Sequence, residues 1–156
     1  MQRLTSRQRD RGFTLIELLI VIGIIGTLAA IAVPIFKISV RKANEANAVS
    51  ALNTIRSAQA NFMTDHKGQY GTFPQLFAEG YLDKRFNAPE PHDKGYIFIM
   101  TLTAKAVGRA ATFAVNANPE QWEGIGATGR NFYYLDPDSG ICYSHEKPAT
   151  AADDTL

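Results

Sequence analysis

The sequence predicts an α+β fold. One long N-terminal helix carries a C-terminal antiparallel meander of about four strands on its second half. Three observations predict it. Residues 13–36 are apolar on every side, residues 48–63 are apolar on one face, and after Gly95 the hydrophobic period drops to two.

The first stretch sets the organisation. From Phe13 to Phe36 there are 24 residues, and Glu17 is the only charged one. A helix rises about 1.5 Å per residue, so this run reaches roughly 36 Å, enough for a bilayer core of about 30 Å. A carboxylate in hydrocarbon costs about 2.5–3.5 kcal/mol on insertion scales, so Glu17 needs a match. Two matches are open. Glu17 sits one turn into the helix, where the dipole favours an anion. Alternatively it pairs with a cation from another chain, and such a buried pair mainly fixes register.

The charge is asymmetric. The chain is +1 overall, but residues 1–12 hold Arg3, Arg7, Arg9 and Arg11 against Asp10, a net +3. The remainder has 12 basic and 14 acidic side chains, a net −2. A basic end before an apolar span stays in the cytoplasm, so residues 37–156 are expected across the membrane. No small-residue cleavage site follows the apolar core, unlike an ordinary secretory signal.

Arg-Gly-Phe-Thr-Leu-Ile-Glu-Leu, residues 11–18 behind a short basic leader, resembles the processing signal of type IV prepilins and of the type II secretion pseudopilins. The resemblance implies a pilin fold and three segments: a cleaved leader 1–12, a membrane and filament-core helix 13–36, and a globular domain 37–156. It implies cleavage after Gly12 by a prepilin peptidase and N-methylation of the new terminus at Phe13. It also implies a contact between Glu17 and the terminal amine of a neighbouring subunit. The implied partners are further copies in a helical filament, membrane lipid before assembly, and an inner-membrane platform driven by a cytoplasmic ATPase. The implied location is the inner membrane, single-pass with the N-terminus in the cytoplasm, and then a surface pilus or a periplasmic pseudopilus.

Within the apolar run, Gly23, Gly26 and Pro34 are residues that membrane helices tolerate. The other reading is that Gly26–Pro34 loosens when subunits pack, as the family does. Pro34 removes one amide donor, a local cost of about 3 kcal/mol.

Beyond Phe36, Lys37, Arg41 and Lys42 appear at once. Ala48, Val49, Leu52, Ile55, Gln59, Phe62 and Met63 then make one apolar stripe. Lys67 is the expected last helical residue, with Gly68 at the stop position. His66 reads as a cation at a helix C-terminus. Residues 69–94 read as a connector with a short helix over 74–79, ending at Gly80. Tyr81 and Leu82 are expected to pack back on the long helix, and Pro89 and Pro91 to keep 87–94 irregular.

Tyr96–Leu102, Ala111–Val115, Asn131–Leu135 and Ile141–Ser144 read as strands. Residues 116–129 read as a loop and Asp136–Gly140 as a turn. Thr128-Gly129-Arg130, Phe132, Tyr133, Asp136 and Gly140 resemble the C-terminal sheet of some bacterial pilins. Residues 145–156 read as a loose tail.

The single cysteine, Cys142, rules out an intramolecular disulfide. It reads as a small buried apolar residue, with an exposed thiol as the other reading. Many pilins close a C-terminal loop with a disulfide, and this chain departs from that pattern. Asp136 and Asp138 serve a turn in one reading and a calcium ion in the other. Two carboxylates are few for an ion wanting six to eight oxygens, so no metal or other cofactor is expected. Phosphate loop, His-x-x-x-His pair and nucleophile elbow are all missing, and the expectation is a structural protein, not an enzyme. Trp122 is a cap over the sheet or a contact for a neighbour. Aromatic residues, 10% of the chain, are scattered and suggest no electron conduction. A slightly acidic mature chain offers no electrostatic hint of DNA binding. The alternatives to a pilus subunit are a secretion pseudopilin and an unprocessed, single-pass anchored binding module.

Overall fold

The computed structural model of the chain describes residues 12–156, so the expected disordered leader, apart from Gly12, lies outside the described residues. The chain divides at Lys37/Ile38 into two compact units. Helix α1 spans Leu15–Asp65 and runs through Gly26 and Pro34 without interruption, so the loosened section is not present in the single chain. Every residue from 12 to 40 is exposed.

In the second unit α1 buries Ala48, Ala51, Leu52, Ile55, Ala58, Gln59 and Phe62. This is the expected stripe, with Ala51 and Ala58 added and Val49 and Met63 at its margin. The small alanines let other elements approach closely. The helix stops two residues before the expected Lys67. Gly68 N–H reaches back to Met63 O at 2.9 Å, and Gly68 takes φ 80, a left-handed conformation that glycine adopts without steric cost.

Helix α2 spans Phe73–Ala78 behind a capping box. Thr72 Oγ1 accepts from Gln75 N–H, and the Gln75 side chain accepts from Thr72 N–H. Tyr81 and Leu82 do pack back: Leu82 joins the core, and Tyr81 meets Phe62 edge-on at 5.7 Å. A 3-10 turn at Lys84–Phe86 follows, buried through Phe86.

Six antiparallel strands form one sheet in chain order. They are β1 (His92–Asp93), β2 (Tyr96–Thr103), β3 (Thr112–Pro119), β4 (Phe132–Asp136), β5 (Gly140–Ser144) and β6 (Asp154–Thr155). Three expectations are corrected. Strand β3 continues four residues past Val115, because Ala117 faces the core while Asn116 and Asn118 point away, a clean period of two. Strand β1 forms inside the expected irregular stretch, past Pro91, by pairing with Ile97 and Tyr96. The tail is not loose. Strand β6 pairs with Cys142 and Tyr143, Asn116 Nδ2 donates to Ala149 O at 2.8 Å, and Ala149 is buried. Backbone and amide partners hold that tail without an apolar run to announce it.

The core lies between the α1 stripe and the inner sheet face. Tyr96, Phe98, Val115, Ala117, Tyr133 and Leu135 meet Leu52, Ile55 and Phe62, with Phe73, Leu76 and Phe86 closing one side. A polar group sits at the centre of this apolar set. Gln59 is fully buried; its Nε2 donates to Gly71 O at 2.7 Å and its Oε1 accepts from Gly71 N at 3.0 Å. Both backbone groups of the turn after α1 are thereby satisfied.

Candidate functional site

The start of α1 is built by four residues. Thr14 is the residue before the first helical one, and Glu17 lies three positions on. Glu17 N–H donates to Thr14 Oγ1 at 3.2 Å. In return Glu17 Oε2 accepts from Thr14 N–H at 2.9 Å and from Thr14 Oγ1 at 2.8 Å. This reciprocal capping box satisfies donors that a helix start leaves open. The Thr-x-x-Glu spacing that makes this box is legible in the sequence itself. Among the described residues Glu17 Oε1 accepts no hydrogen bond. One oxygen of the carboxylate is therefore spent within the chain, and one remains for an outside donor. Phe13 is 89% exposed beside it, and Gly12 has open space where a Cβ would be.

The apolar side chains that follow are exposed among the described residues. Leu15, Ile16, Leu28, Ile31 and Phe36 are all at least 63% exposed. Among the described residues α1 is the one helix long and apolar enough to cross a membrane. Such a surface is stable only against lipid or against other helices, where small residues such as Gly23, Gly26, Ala29 and Ala30 permit close approach.

The remaining singled-out residues are structural in position. His66 stacks on Phe62 at 3.8 Å, contacts Phe62 O through Nδ1 at 3.0 Å and lies 3.2 Å from Glu79 through Nε2. It ties the end of α1 to the end of α2. Asp136 accepts from Asp138 N–H, Ser139 N–H and Ser139 Oγ, closing the β4–β5 turn. Partial burial works to raise its pKa, but the Ser139 and Asp138 donors outweigh it and hold the carboxyl below its ordinary value. Among the described residues no three His, Cys, Asp or Glu side chains form a group suited to a metal. Cys142 is fully buried, and that burial pushes its thiol pKa up.

Trp122 meets Phe132 edge-on at 6.0 Å, as a cap over the sheet would, and stays 43% exposed. It opens on a cleft of about 630 Å³ with Glu45, Glu123, Arg130, His145 and Glu146. The loop that carries Trp122 is anchored by Thr128, whose Oγ1 donates to Gly95 O at 2.7 Å, and whose carbonyl accepts from Asn44 Nδ2 at 2.9 Å. Gly129 is there for space: a Cβ would lie 2.1 Å from Tyr96 Oη. That hydroxyl donates to Asn131 O at 2.9 Å.

Comparison with known proteins matches the same N-terminal segment. Residues 7–33 fit the family model of the prokaryotic N-terminal methylation motif. The type IV major pilin protein PilA of Myxococcus xanthus is 45% identical over 65 residues, 42% of this chain and 29% of that protein. The type IV narrow pilus major component PilA5 of Thermus thermophilus is 50% identical over 70 residues, 45% of this chain and 60% of that protein. The type II secretion system core protein G of Aeromonas hydrophila is 35% identical over 95 residues, 59% of this chain and 65% of that protein. The matched stretch thus spans between 29% and 65% of these relatives' own length. No solved structure matches the chain.

Proposed function

We propose that the chain, which is similar to type IV pilins and type II secretion pseudopilins, is the structural subunit of a type IV pilus. A prepilin peptidase cuts after Gly12, and Phe13 becomes the methylated terminus. The mature chain waits in the inner membrane through residues 13–36 and is then packed helix against helix. The observation that carries this reading is the Glu17 carboxylate. One of its oxygens caps its own helix and the other takes no donor among the described residues, while cleavage at Gly12 creates a cation on the neighbouring Phe13 of every copy. Staggered copies pair the two in a low dielectric, where the pair sets register and breaking it by removing one partner is costly. Apolar helix surface leaving lipid for protein supplies the packing contact. Gly26–Pro34 loosens at that stage, when neighbouring helices can satisfy the freed backbone groups. The subunit performs no catalysis, and the work of assembly comes from a cytoplasmic ATPase acting through an inner-membrane platform.

A second reading, a pseudopilin forming a short periplasmic piston, has one observation in its favour. The likeness to secretion protein G runs over 95 residues, against 65 and 70 for the two pilins.

The test is intact mass and N-terminal sequencing of sheared surface filaments, beside the same fraction from a Glu17→Ala strain. A chain beginning at methylated Phe13, abundant in wild type and lost in the variant, is the expected result. Processed protein confined to membranes selects the pseudopilin. An unprocessed chain refutes both and leaves the anchored binding module.

A further inference from the structure

A second site lies on α1 just past the apolar run. Ile38, Arg41, Lys42 and Glu45 recur at three- and four-residue intervals and share one helix face. With Arg130 they line a cavity of about 200 Å³. Arg130 is fixed there, because its backbone N–H donates to Glu45 Oε1 at 2.8 Å and the loop before it is tied to Asn44 through Thr128. Three cations therefore meet one carboxylate that already serves a backbone donor. The ion pairs among the described residues belong to His66, Arg85 and His92, so Arg41, Lys42 and Arg130 line the cavity with Glu45 as its one carboxylate and with no close ion pair of their own. This concentration of positive charge stands in a mature chain whose net charge is −2.

Arg41 is five residues beyond Phe36, a helical rise of about 7–8 Å. With residues 13–36 in hydrocarbon, that rise falls within the headgroup layer. We propose that Arg41, Lys42 and Arg130 bind the phosphate of an anionic phospholipid in the leaflet distal to the leader. The guanidinium groups suit bidentate contact with phosphate oxygens. Ile38 offers an apolar wall for the glycerol end of the acyl chains. The site holds the subunit at a set depth before assembly and gives up its lipid when the helix is extracted. The proposal rests on the reading of residues 13–36 as a membrane span, not on the choice between pilus and pseudopilus.

The test uses the full chain in vesicles of equal phosphatidylcholine and phosphatidylglycerol, with native mass spectrometry of the lipid retained on release. Wild type is expected to keep phosphatidylglycerol over phosphatidylcholine by about fivefold or more, the gain of one or two basic side chains at an anionic surface. The triple variant R41Q/K42Q/R130Q is expected to keep both equally. A control that removes three other exposed charges, K67Q/K105Q/K147Q, is expected to keep the preference. Circular dichroism checks that all three chains fold. No preference in wild type overturns the proposal, as does a preference that survives in the triple variant or falls equally in the control. Loss of the preference on adding inorganic phosphate, with phosphate adducts appearing instead, overturns lipid as the source of the anion. A chain that fails to float with the vesicles overturns the span and the proposal together, whereas loss of preference in a floating chain overturns the site alone.

Discussion

Gln59→Leu tests the most exacting feature of the core. The substitution keeps the side chain's approximate size and adds apolar surface, so a reading of α1 as a plain apolar stripe predicts a gain. The structure predicts a loss. Gln59 is fully buried, and it alone satisfies both the N–H and the C=O of Gly71, itself buried. Leucine leaves both groups without partners. Each buried unsatisfied group costs about 1–3 kcal/mol, so the total is about 2–6 kcal/mol, offset by about 1–2 kcal/mol for the added apolar burial. Nor can the turn relax outward freely, because a Cβ on Gly71 would already lie 2.9 Å from Phe62. From the middle of both ranges, the net expectation is a destabilisation of about 2.5 kcal/mol. Urea denaturation of the full chain in detergent, followed by far-ultraviolet circular dichroism, gives this from the midpoint at constant slope. Gln59→Glu keeps one acceptor and removes one donor, and should fall on the destabilised side as well. A midpoint for Gln59→Leu equal to or above wild type would refute the argument that the Gly71 backbone depends on this amide.

Three further outcomes are expected. Gly129→Ala must move Tyr96, whose Oη would stand 2.1 Å from the new Cβ, and strain in a packed core of this kind costs about 1–3 kcal/mol, measurable by the same denaturation. Tyr81 donates its hydroxyl to Asp65, and that bond, with burial and the nearby Asp65 and Glu79 charges, pushes its pKa up to about 12. Because the folded pKa is above the unfolded value of 10.0, the contribution is complete below pH 10 and fades as pH rises towards 12. Burial also raises the pKa of Tyr70, Tyr96, Tyr133 and Tyr134, so ultraviolet titration should show several late tyrosines in wild type and one fewer in Tyr81→Phe. Cys142 is shielded by strand β6, so a maleimide should label it only on unfolding in wild type, and quickly in the native state of a chain truncated after Ser144. Rapid labelling of the native full-length chain would show that the tail does not cover it.

How much of this was legible without a structure varies by element. The apolar run and Glu17 stand out because membrane insertion acts on composition, which a sequence displays directly. The amphipathic half of α1, its stop at Gly68 and the four main strands follow from periodicity and turn chemistry, both of them local. The capping box at Thr14 and Glu17 was equally local, as a Thr-x-x-Glu spacing at the helix start.

The rest depended on groups distant in the chain. Strands β1 and β6 are two residues each and exist only because β2 and β5 present unpaired edges to them. The tail is ordered by Asn116 and the edge of β5, which no pattern within 145–156 reveals. Gln59 sat in the apolar stripe, but its partner is a backbone turn that only the packed structure brings to it. Arg41 and Lys42 are neighbours in sequence, whereas Arg130 joins them through Glu45, 85 positions away. Sequence by itself therefore determined the long apolar segment, the N-terminal methylation motif and the α+β class, since those rest on local composition and period. Tertiary structure alone decided the edge strands, the buried amide and the three-cation face, since each is made by elements that meet only after the helix and sheet have closed on a shared core.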